Sequence, residues 1–161
     1  MSNKSPLVSI GMPLYNEERF LAQALDSLLA QDFKDFELII SDNASQDATW
    51  KICLEYASRD ARIRCYRNET NIGAVKNCNR TVALASGRYF MWAAGHDLWH
   101  PSYVSRCLNV LTTDPQVALC YAQIRVISYD GGTIELVEEG IDTRGLEAFE
   151  CFRSVVCDLR R

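Results

Sequence analysis

The chain has 161 residues, of which 48% are hydrophobic and 24% are charged, and its formal net charge is −4. This length and composition predict one globular domain with a packed core and exclude an intrinsically disordered chain. The acidic balance supplies no basic field for a phosphate polymer, so we expect no nucleic-acid partner. No apolar run approaches the ~20 residues of a membrane-spanning helix and the start lacks a signal-peptide core, so we expect a cytoplasmic protein, peripheral to a membrane in any longer form.

The first half of the chain alternates strand and helix patterns. Residues 7–12 form a β-prone run closed by Pro13, and apolar residues then recur at helical spacing as far as residue 31. We expect Asn16 to accept hydrogen bonds from the first amides of that helix. Residues 36–41 predict a second strand, followed by a polar cluster at 42–47 and a helix at 48–58.

The second half continues the alternation. A strand at 63–66 precedes a helix at 74–85, whose expected inner face is Val75, Cys78 and Val82. Residues 89–94 are nearly all apolar, which predicts a central strand covered on both faces, with Trp92 in the core. The remaining predicted elements are a helix at 101–111, a buried strand at 117–121, and a hairpin of 124–128 with 133–137.

The seven cysteines form no CxxC pair, and their odd number leaves one thiol over in any disulfide scheme. Several lie among apolar neighbours. We interpret them as reduced core residues, with disulfides and metal ligation as the alternatives. They are Cys53, Cys65, Cys78, Cys107, Cys120, Cys151 and Cys157.

Strands that alternate with helices predict an α/β fold, because a parallel crossover needs roughly a dozen residues and a helix provides them. Ligands of such sheets bind outside the carboxyl ends of the strands. The sequence contains no Walker lysine loop, no GxGxxG after the first strand and no GxSxG, which argues against P-loop nucleotidases, dinucleotide dehydrogenases and α/β-hydrolases. Three polar clusters follow predicted strands, at Tyr15-Asn16-Glu17, Asp42-Asn43 and His96-Asp97.

These clusters, in this order, resemble family-2 glycosyltransferases of the GT-A fold over roughly residues 7–130. The resemblance is carried by four blocks, at residues 8–16, 36–49, 71–90 and 92–99. The last block departs from the pattern. Where the family has an Asp-x-Asp followed by another Asp, this chain has Ala94, Gly95, His96 and Asp97.

The resemblance implies a Rossmann-like GT-A domain, a mostly parallel sheet flanked by helices, that binds a nucleotide sugar over residues 1–137. Residues 138–161 are expected to form a tail with a helix at 146–159, where a further acceptor-side region begins. We therefore expect the chain to be the amino-terminal part of a longer enzyme, truncated at the acceptor side. Its cut edge would expose Phe149, Phe152 and Val156, which favours self-association.

The implied activity is transfer of a sugar, with inversion, from a nucleotide-diphosphate sugar to a saccharide or lipid-linked acceptor, as in polysaccharide biosynthesis. The resemblance favours UDP as the nucleotide, and we expect the general base to lie beyond Arg161. The main alternative is a non-catalytic binding or scaffold module with a degenerate metal motif. A sugar nucleotidyltransferase ranks third, since it would need a glycine-rich basic loop after the first strand.

The expected nucleotide site centres on Asp42, whose carboxylate can accept from the imide N–H of uracil while Pro13 and Tyr15 border the base. The alternative is that Asp42 only caps the next helix. Asn77 and Asn79 do not share a helical face, so at most one points inward, and Asn79 fits the family block better. The other residues expected to bind the donor are Asn16, Glu17, Asn43 and Asp97.

A diphosphate leaving group needs its charge neutralised, and the family resemblance implies a divalent metal, Mn²⁺ or Mg²⁺. His96 and Asp97 are the candidate ligands, because Mn²⁺ accepts imidazole as well as carboxylate. The alternative is that His96 only forms a hydrogen bond at a turn and that metal binding is weakened or lost.

Overall fold

The computed structural model describes residues 5–128 and 132–137, so the predicted helix at 146–159 and the apolar edge expected from it lie outside the described residues. The chain divides into two compact units, Met1–Ser105 and Arg106–Arg161. No helix within the described ranges combines the length and the apolarity needed to cross a bilayer.

The order of elements follows the predicted alternation through the first eight, so the α/β class is confirmed. The strands and helices are β1 (Val8–Leu14), α1 (Leu21–Leu29), β2 (Phe36–Asp42), α2 (Thr49–Arg59), β3 (Ile63–Arg67), α3 (Ala74–Leu84), β4 (Tyr89–Trp92), α4 (Tyr103–Thr113), β5 (Ile124–Ile127) and β6 (Thr133–Val137).

The first unit is built on a four-stranded sheet in the order β3-β2-β1-β4, with every pair of neighbours parallel. Strand β2 is buried along its whole length, as its apolar run predicts for a strand covered on both faces. Helix α1 buries Leu21, Ala24, Leu25 and Leu28, a set at helical spacing. Truncation of such a leucine to alanine costs about 2–5 kcal/mol, so this layer contributes much of the unit's stability.

Strand β4 corrects one prediction. It was expected to be central and covered on both faces, but within the described residues it pairs with β1 alone and forms the edge of the sheet. Trp92, expected in the core, is 52% exposed and donates from Nε1 to Thr81 Oγ1 at 3.2 Å. An apolar run sets the tendency to form a strand, whereas the number of its neighbours depends on residues elsewhere in the chain.

The inner face of α3 corrects a second. Val75 and Val82, expected to face inward, are 74% and 43% exposed, and the buried residues of the helix are Asn77 and Thr81. Thr81 packs on β1 so closely that a Cβ added to Gly11 would lie 2.5 Å from Thr81 Oγ1. A polar face is buried here because the groups that it meets are hydrogen-bonding partners rather than apolar side chains.

The second unit contains the predicted hairpin. Strands β5 and β6 pair antiparallel, with Ile124 opposite Val137, and the turn residues 129–131 lie outside the described ranges. The predicted buried strand at 117–121 was wrong, because this segment has no strand structure and Leu119 is 68% exposed. A β-prone run becomes a strand only by pairing, and this segment joins no strand ladder among the described residues.

Four of the cysteines that the structure describes, Cys53, Cys65, Cys78 and Cys120, are free thiols, as predicted for them. Cys53 is fully buried, whereas Cys65, Cys78, Cys107 and Cys120 are partly exposed, so among the cysteines within the described ranges only Cys53 matches the expected core position. Cys151 and Cys157 lie outside the described residues.

A closed polar network joins the amino-terminal ends of the strands. Glu37 of β2 accepts hydrogen bonds from Ser9 Oγ at 2.7 Å, from Ser86 N at 2.8 Å, from Ser86 Oγ at 2.7 Å and from Arg64 Nη1 at 2.7 Å. Burial alone would raise the pKa of Glu37, but the hydrogen bonds from Ser9, Ser86 and Arg64 outweigh it and lower the pKa to about 2. The carboxylate therefore stays charged and fixes the 86–87 turn against the sheet.

Candidate functional site at the carboxyl edge of the sheet

The three polar clusters lie along one edge of the first unit. Because β1 is parallel to both of its neighbours, the carboxyl ends of β2 and β4 flank its own. Leu14 is in register with Asp42, and Ala93 N donates to Gly11 O at 2.9 Å. Residues 15–17, 42–43 and 93–97 therefore follow neighbouring strands at the same edge.

The loop after β1 is fixed to the loop after β2 by reciprocal hydrogen bonds. Asn16 N donates to Ser45 Oγ at 3.0 Å, and Asn16 Oδ1 accepts from Gln46 N at 2.8 Å. Asn16 was expected to cap α1, which was wrong, since that helix begins only at Leu21. Its backbone has φ of 55°, a left-handed conformation that asparagine tolerates, and this turns its side chain to the neighbouring loop.

Asp42 is fully buried at the end of β2. Its Oδ2 lies 3.1 Å from Nε of Arg67, and both carboxylate oxygens lie 3.3 Å from Ser45 N. It does not cap α2, because the amide of Thr49 at the start of that helix donates to Asp47 Oδ1 at 2.9 Å. The capping alternative therefore fails, and the carboxylate retains lone pairs for another donor.

Asn43 connects the site to the loop at 68–73. Its Oδ1 accepts from Asn68 Nδ2 and from Ile72 N, each at 2.9 Å, and its Nδ2 donates to Asn71 Oδ1 at 2.8 Å. These contacts satisfy most of the amide, so Asn43 positions the loop. The predicted contact of Asn43 with a nucleotide sugar stays a prediction.

Asn77, rather than Asn79, is the inward residue of α3. Asn77 is 2% exposed, accepts from Ser41 Oγ at 2.7 Å and donates to Ser41 O at 2.8 Å, whereas Asn79 is exposed. The family block favoured Asn79 as the inward residue, whereas the structure buries Asn77. Asn68 also donates to Asn77 Oδ1, at 3.0 Å, so Asn77 completes the amide cluster behind Asp42 and Asn43.

His96 faces Glu17 across the ends of β4 and β1. Its Nδ1 lies 3.1 Å and 3.2 Å from the two carboxylate oxygens of Glu17, with side-chain exposures of 54% and 28%. A Cβ added to Gly95 would lie 2.6 Å from Leu14 Cδ2, so the lack of a side chain there lets the loop approach β1. Asp97, the next residue in the chain after His96, is exposed.

The side chains of His96 and Glu17 are suitable ligands for a divalent ion that is also coordinated by oxygens of a bound substrate. Imidazole and carboxylate are both ligands of Mn²⁺, and His96 and Glu17 stand within a few ångströms of each other. Among residues 5–128 and 132–137, however, no group of three or more metal-ligating side chains comes together. A metal here would need further ligands, such as diphosphate oxygens, for its coordination.

The other predicted residues line the same edge. Pro13 is partly exposed in β1, and Tyr15 is 44% exposed just after it. Two further residues, Arg67 and Ser45, contact Asp42 directly and were not predicted as part of the site. A basic residue at the end of a short strand gives little signal, since such residues are usually solvated.

A family model described as glycosyl transferase family 2 matches residues 9–155. An uncharacterized glycosyltransferase of Rickettsia typhi is 31% identical over 135 residues, which is 83% of this chain and 41% of that protein. The putative glycosyltransferase EpsE of Bacillus subtilis is 39% identical over 100 residues, which is 62% of this chain and 36% of EpsE. The chain thus spans about two fifths of these relatives.

Solved structures agree with the fold. Crystal structures of S. aureus TarS in complex with UDP and with UDP-GlcNAc have TM-scores of 0.61 and 0.62, at 26% identity over 66% of this chain and about a third of theirs (32% and 31%). The Pyrobaculum calidifontis mannosyltransferase PcManGT, complexed with GDP-Man and Mn²⁺, has a TM-score of 0.64 at 22% identity, covering 71% of this chain and 34% of its own. The last likeness concerns the fold alone. With its parallel α/β sheet and the family match over most of its length, the chain belongs to glycosyltransferase family 2.

Proposed function

We propose that the carboxyl edge binds a nucleotide-diphosphate sugar, with uridine as the nucleoside. The observation that carries this is the buried carboxylate of Asp42, which lies at the edge where ligands of parallel sheets bind and does not cap a helix. TarS, a structural relative at 26% identity, has been crystallised with UDP and with UDP-GlcNAc. These ligands were bound to TarS and not to this chain, and they support uridine diphosphate as the first ligand to test here.

In this proposal Asp42 accepts from the imide N–H of uracil, with Pro13 and Tyr15 at the borders of the base. The fixed loops around it arrange the remaining polar groups. A rigid arrangement lowers the conformational cost of binding, which is the role we give to the bonds between Asn16 and the 45–46 loop. The further donor-binding residues proposed are Glu17, Asn43, Asn79 and Asp97.

We further propose that a divalent ion, Mn²⁺ or Mg²⁺, binds beside the diphosphate through His96 and Asp97. Once bound, such an ion would neutralise the negative charge of the leaving diphosphate. Glu17 holds the imidazole of His96 toward the end of β1 and raises the local negative charge. Imidazole ligates a metal only in its neutral form, so we expect protons to compete with the metal for this site.

The reaction that we propose for the whole protein is inverting transfer of the sugar to a saccharide or lipid-linked acceptor. Displacement at the anomeric carbon needs a base that takes the proton of the acceptor hydroxyl. We assign no such base among the described residues. The proposed role of this chain's described part is to bind and orient the donor.

A second function, a non-catalytic binding or scaffold module, is favoured by one observation. The described residues contain no cluster of three metal-ligating groups, and His96 stands where the family pattern has a carboxylate. The His96→Asp variant separates the two functions. If Mn²⁺-dependent UDP binding appears only in that variant, the chain is a module that has lost its metal.

The test of donor binding is the melting temperature of the 161-residue chain with millimolar UDP and Mn²⁺. We expect UDP to raise the melting temperature of the wild type and to raise it much less for Asp42→Asn. Asp60→Asn is the matched control, because Asp60 is also an arginine-paired carboxylate but lies before β3, at the other edge. No shift in the wild type, or equal shifts in both variants, would overturn the proposal.

A further inference from the structure

Arg67 holds its guanidinium beside Asp42 by three contacts. Its Nε lies 3.1 Å from Asp42 Oδ2, its Nη2 donates to Ser45 O at 2.7 Å, and its charge lies 5.6 Å from the ring centroid of Trp50. The Asp42 side chain is fully buried, whereas that of Arg67 is 42% exposed. The carboxylate and the outer face of the guanidinium are thus neighbours at a fixed spacing.

This pairing differs from an ion pair that only balances charge. Arg62 directs Nε and Nη2 of its fork to the one carboxylate of Asp60, at 2.6–3.2 Å. Arg67 instead divides the same two groups between a carboxylate and a backbone carbonyl. Its Nη1 has no acceptor in the part of the chain that the structure describes, and Asp42 keeps unused lone pairs.

The pair therefore places an acceptor next to a donor, with the guanidinium partly exposed and the carboxylate buried. Uracil carries the complementary pattern, an N3–H donor next to the O4 acceptor. In cytosine both positions are reversed, because N3 is an acceptor and the exocyclic N4 is a donor. With the ribose and diphosphate held in one place, cytosine would set a lone pair against the Asp42 carboxylate and an amino group against the Arg67 guanidinium.

We infer that Arg67 is a specificity-determining residue, which donates to O4 of uracil while Asp42 accepts from N3–H and so selects uridine over cytidine donors. The inference rests on the proposed donor binding at Asp42. It adds a residue and a direction of selectivity that neither the family match nor the neighbouring structures assign. Rejection comes mainly from unpaired polar groups, which discriminate more strongly than a lost contact alone.

The experiment is calorimetric titration of UDP and of CDP, with Mn²⁺ present, into the wild type, Arg67→Met, Arg64→Met and Asp42→Asn. The two nucleotides are of equal size and share the ribose and diphosphate, so the ratio of their dissociation constants isolates the base. That ratio does not depend on the fraction of protein that is folded. Arg64 is the matched control, since it lies on the same strand, is 43% exposed and pairs with a buried carboxylate at the opposite end.

We expect the wild type and Arg64→Met to favour UDP over CDP by at least about tenfold, and Arg67→Met to reduce that preference by about tenfold. If Arg67→Met weakens both nucleotides equally or leaves the ratio unchanged, while Asp42→Asn still abolishes UDP binding, base selection by Arg67 is wrong and donor binding stands. If the wild type binds neither nucleotide, donor binding itself fails, and base selection fails with it.

Discussion

Two arginines of β3 pair with two buried carboxylates of β2, at opposite ends of the same sheet. At the amino end Arg64 lies 2.7 Å from Glu37, and at the carboxyl end Arg67 lies 3.1 Å from Asp42. The two arginine side chains are almost equally exposed, at 43% and 42%, and the carboxylates are 8% and 0% exposed. The two ion pairs are therefore similar in composition and burial, so differences between them reflect their surroundings.

Their surroundings differ. Glu37 accepts four short hydrogen bonds, including two from Ser86, whereas Asp42 has one arginine and one long amide contact, from Ser45 at 3.3 Å. A fully satisfied carboxylate stabilises the fold and has little capacity left for a ligand. A partly satisfied one at the ligand-binding edge can accept a further donor, which is the physical basis of the proposed site.

The largest expected effect on stability is that of removing the Glu37 carboxylate, which pairs with Arg64. Glu37→Ala leaves the hydroxyl of Ser9 and the amide of Ser86 without their acceptor, and we expect it to lower the free energy of unfolding by about 3–5 kcal/mol. Urea unfolding followed by circular dichroism measures it. Should Glu37→Ala unfold the chain, Glu37→Gln provides a milder variant. A loss below 1 kcal/mol in both variants would show that the network contributes little.

The pH dependence of stability has nearly the same size. The pKa of Glu37 is about 2 in the folded chain against an ordinary value of 4.5, so its contribution is present above pH 4.5 and is lost as the pH falls toward 2. The shift corresponds to about 3 kcal/mol. We expect unfolding free energies measured between pH 5 and 2 to fall more steeply in the wild type than in Glu37→Gln, and parallel curves would contradict this.

Loss of the Asp42 carboxylate, which pairs with Arg67, should cost less stability. Asp42→Asn keeps an oxygen for the Ser45 amide and leaves Arg67 able to reach water, so we expect a loss of only about 1–2 kcal/mol despite the complete burial of Asp42. The same urea experiment, with Glu37→Gln alongside, compares the two ends. If Asp42→Asn costs as much stability as Glu37→Gln, the proposed difference between the two carboxylates is wrong.

The smallest effect is expected for an ion pair far from both. Arg59 and Glu55 lie 2.6 Å apart on α2, but their side chains are 67% and 50% exposed. Solvent screens such pairs, so Glu55→Ala should change the unfolding free energy by less than about 0.5 kcal/mol. This variant sets the background against which the buried carboxylates are judged, and a loss above 1 kcal/mol would make it unsuitable.

The sequence predicted the fold to the extent that each element depends on its own residues. The apolar runs of β1 and β2 and the helical spacing of α1 led to the correct order and the correct sheet edge. The inward face of α3 was wrong because Asn77 meets Ser41, which lies 36 residues away in the chain. The neighbours of β4 and the fate of residues 117–121 likewise depend on distant partners, which local patterns do not encode.

For the site, topology explains what could be anticipated. Glu17, Asp42 and His96 follow parallel strands, so their shared edge was predictable from strand order. Arg67 and Ser45 were not, because their contacts with Asp42 arise from the parallel register of β2 with β3 and from the turn after β2. Asn16 lies at the predicted edge of the sheet, but it bonds the 45–46 loop rather than α1.

The most direct test of the central claim is a nuclear magnetic resonance titration of the ¹⁵N-labelled chain with UDP and Mg²⁺, which follows backbone amides at the two ends of the sheet. We predict saturable shifts at Ser45, Glu17 and His96, at the carboxyl edge, and little change at Ser86 and Gly87, beside Glu37. Saturable shifts centred on Ser86 and Gly87, or none at the carboxyl edge at millimolar UDP, would contradict donor binding at Asp42.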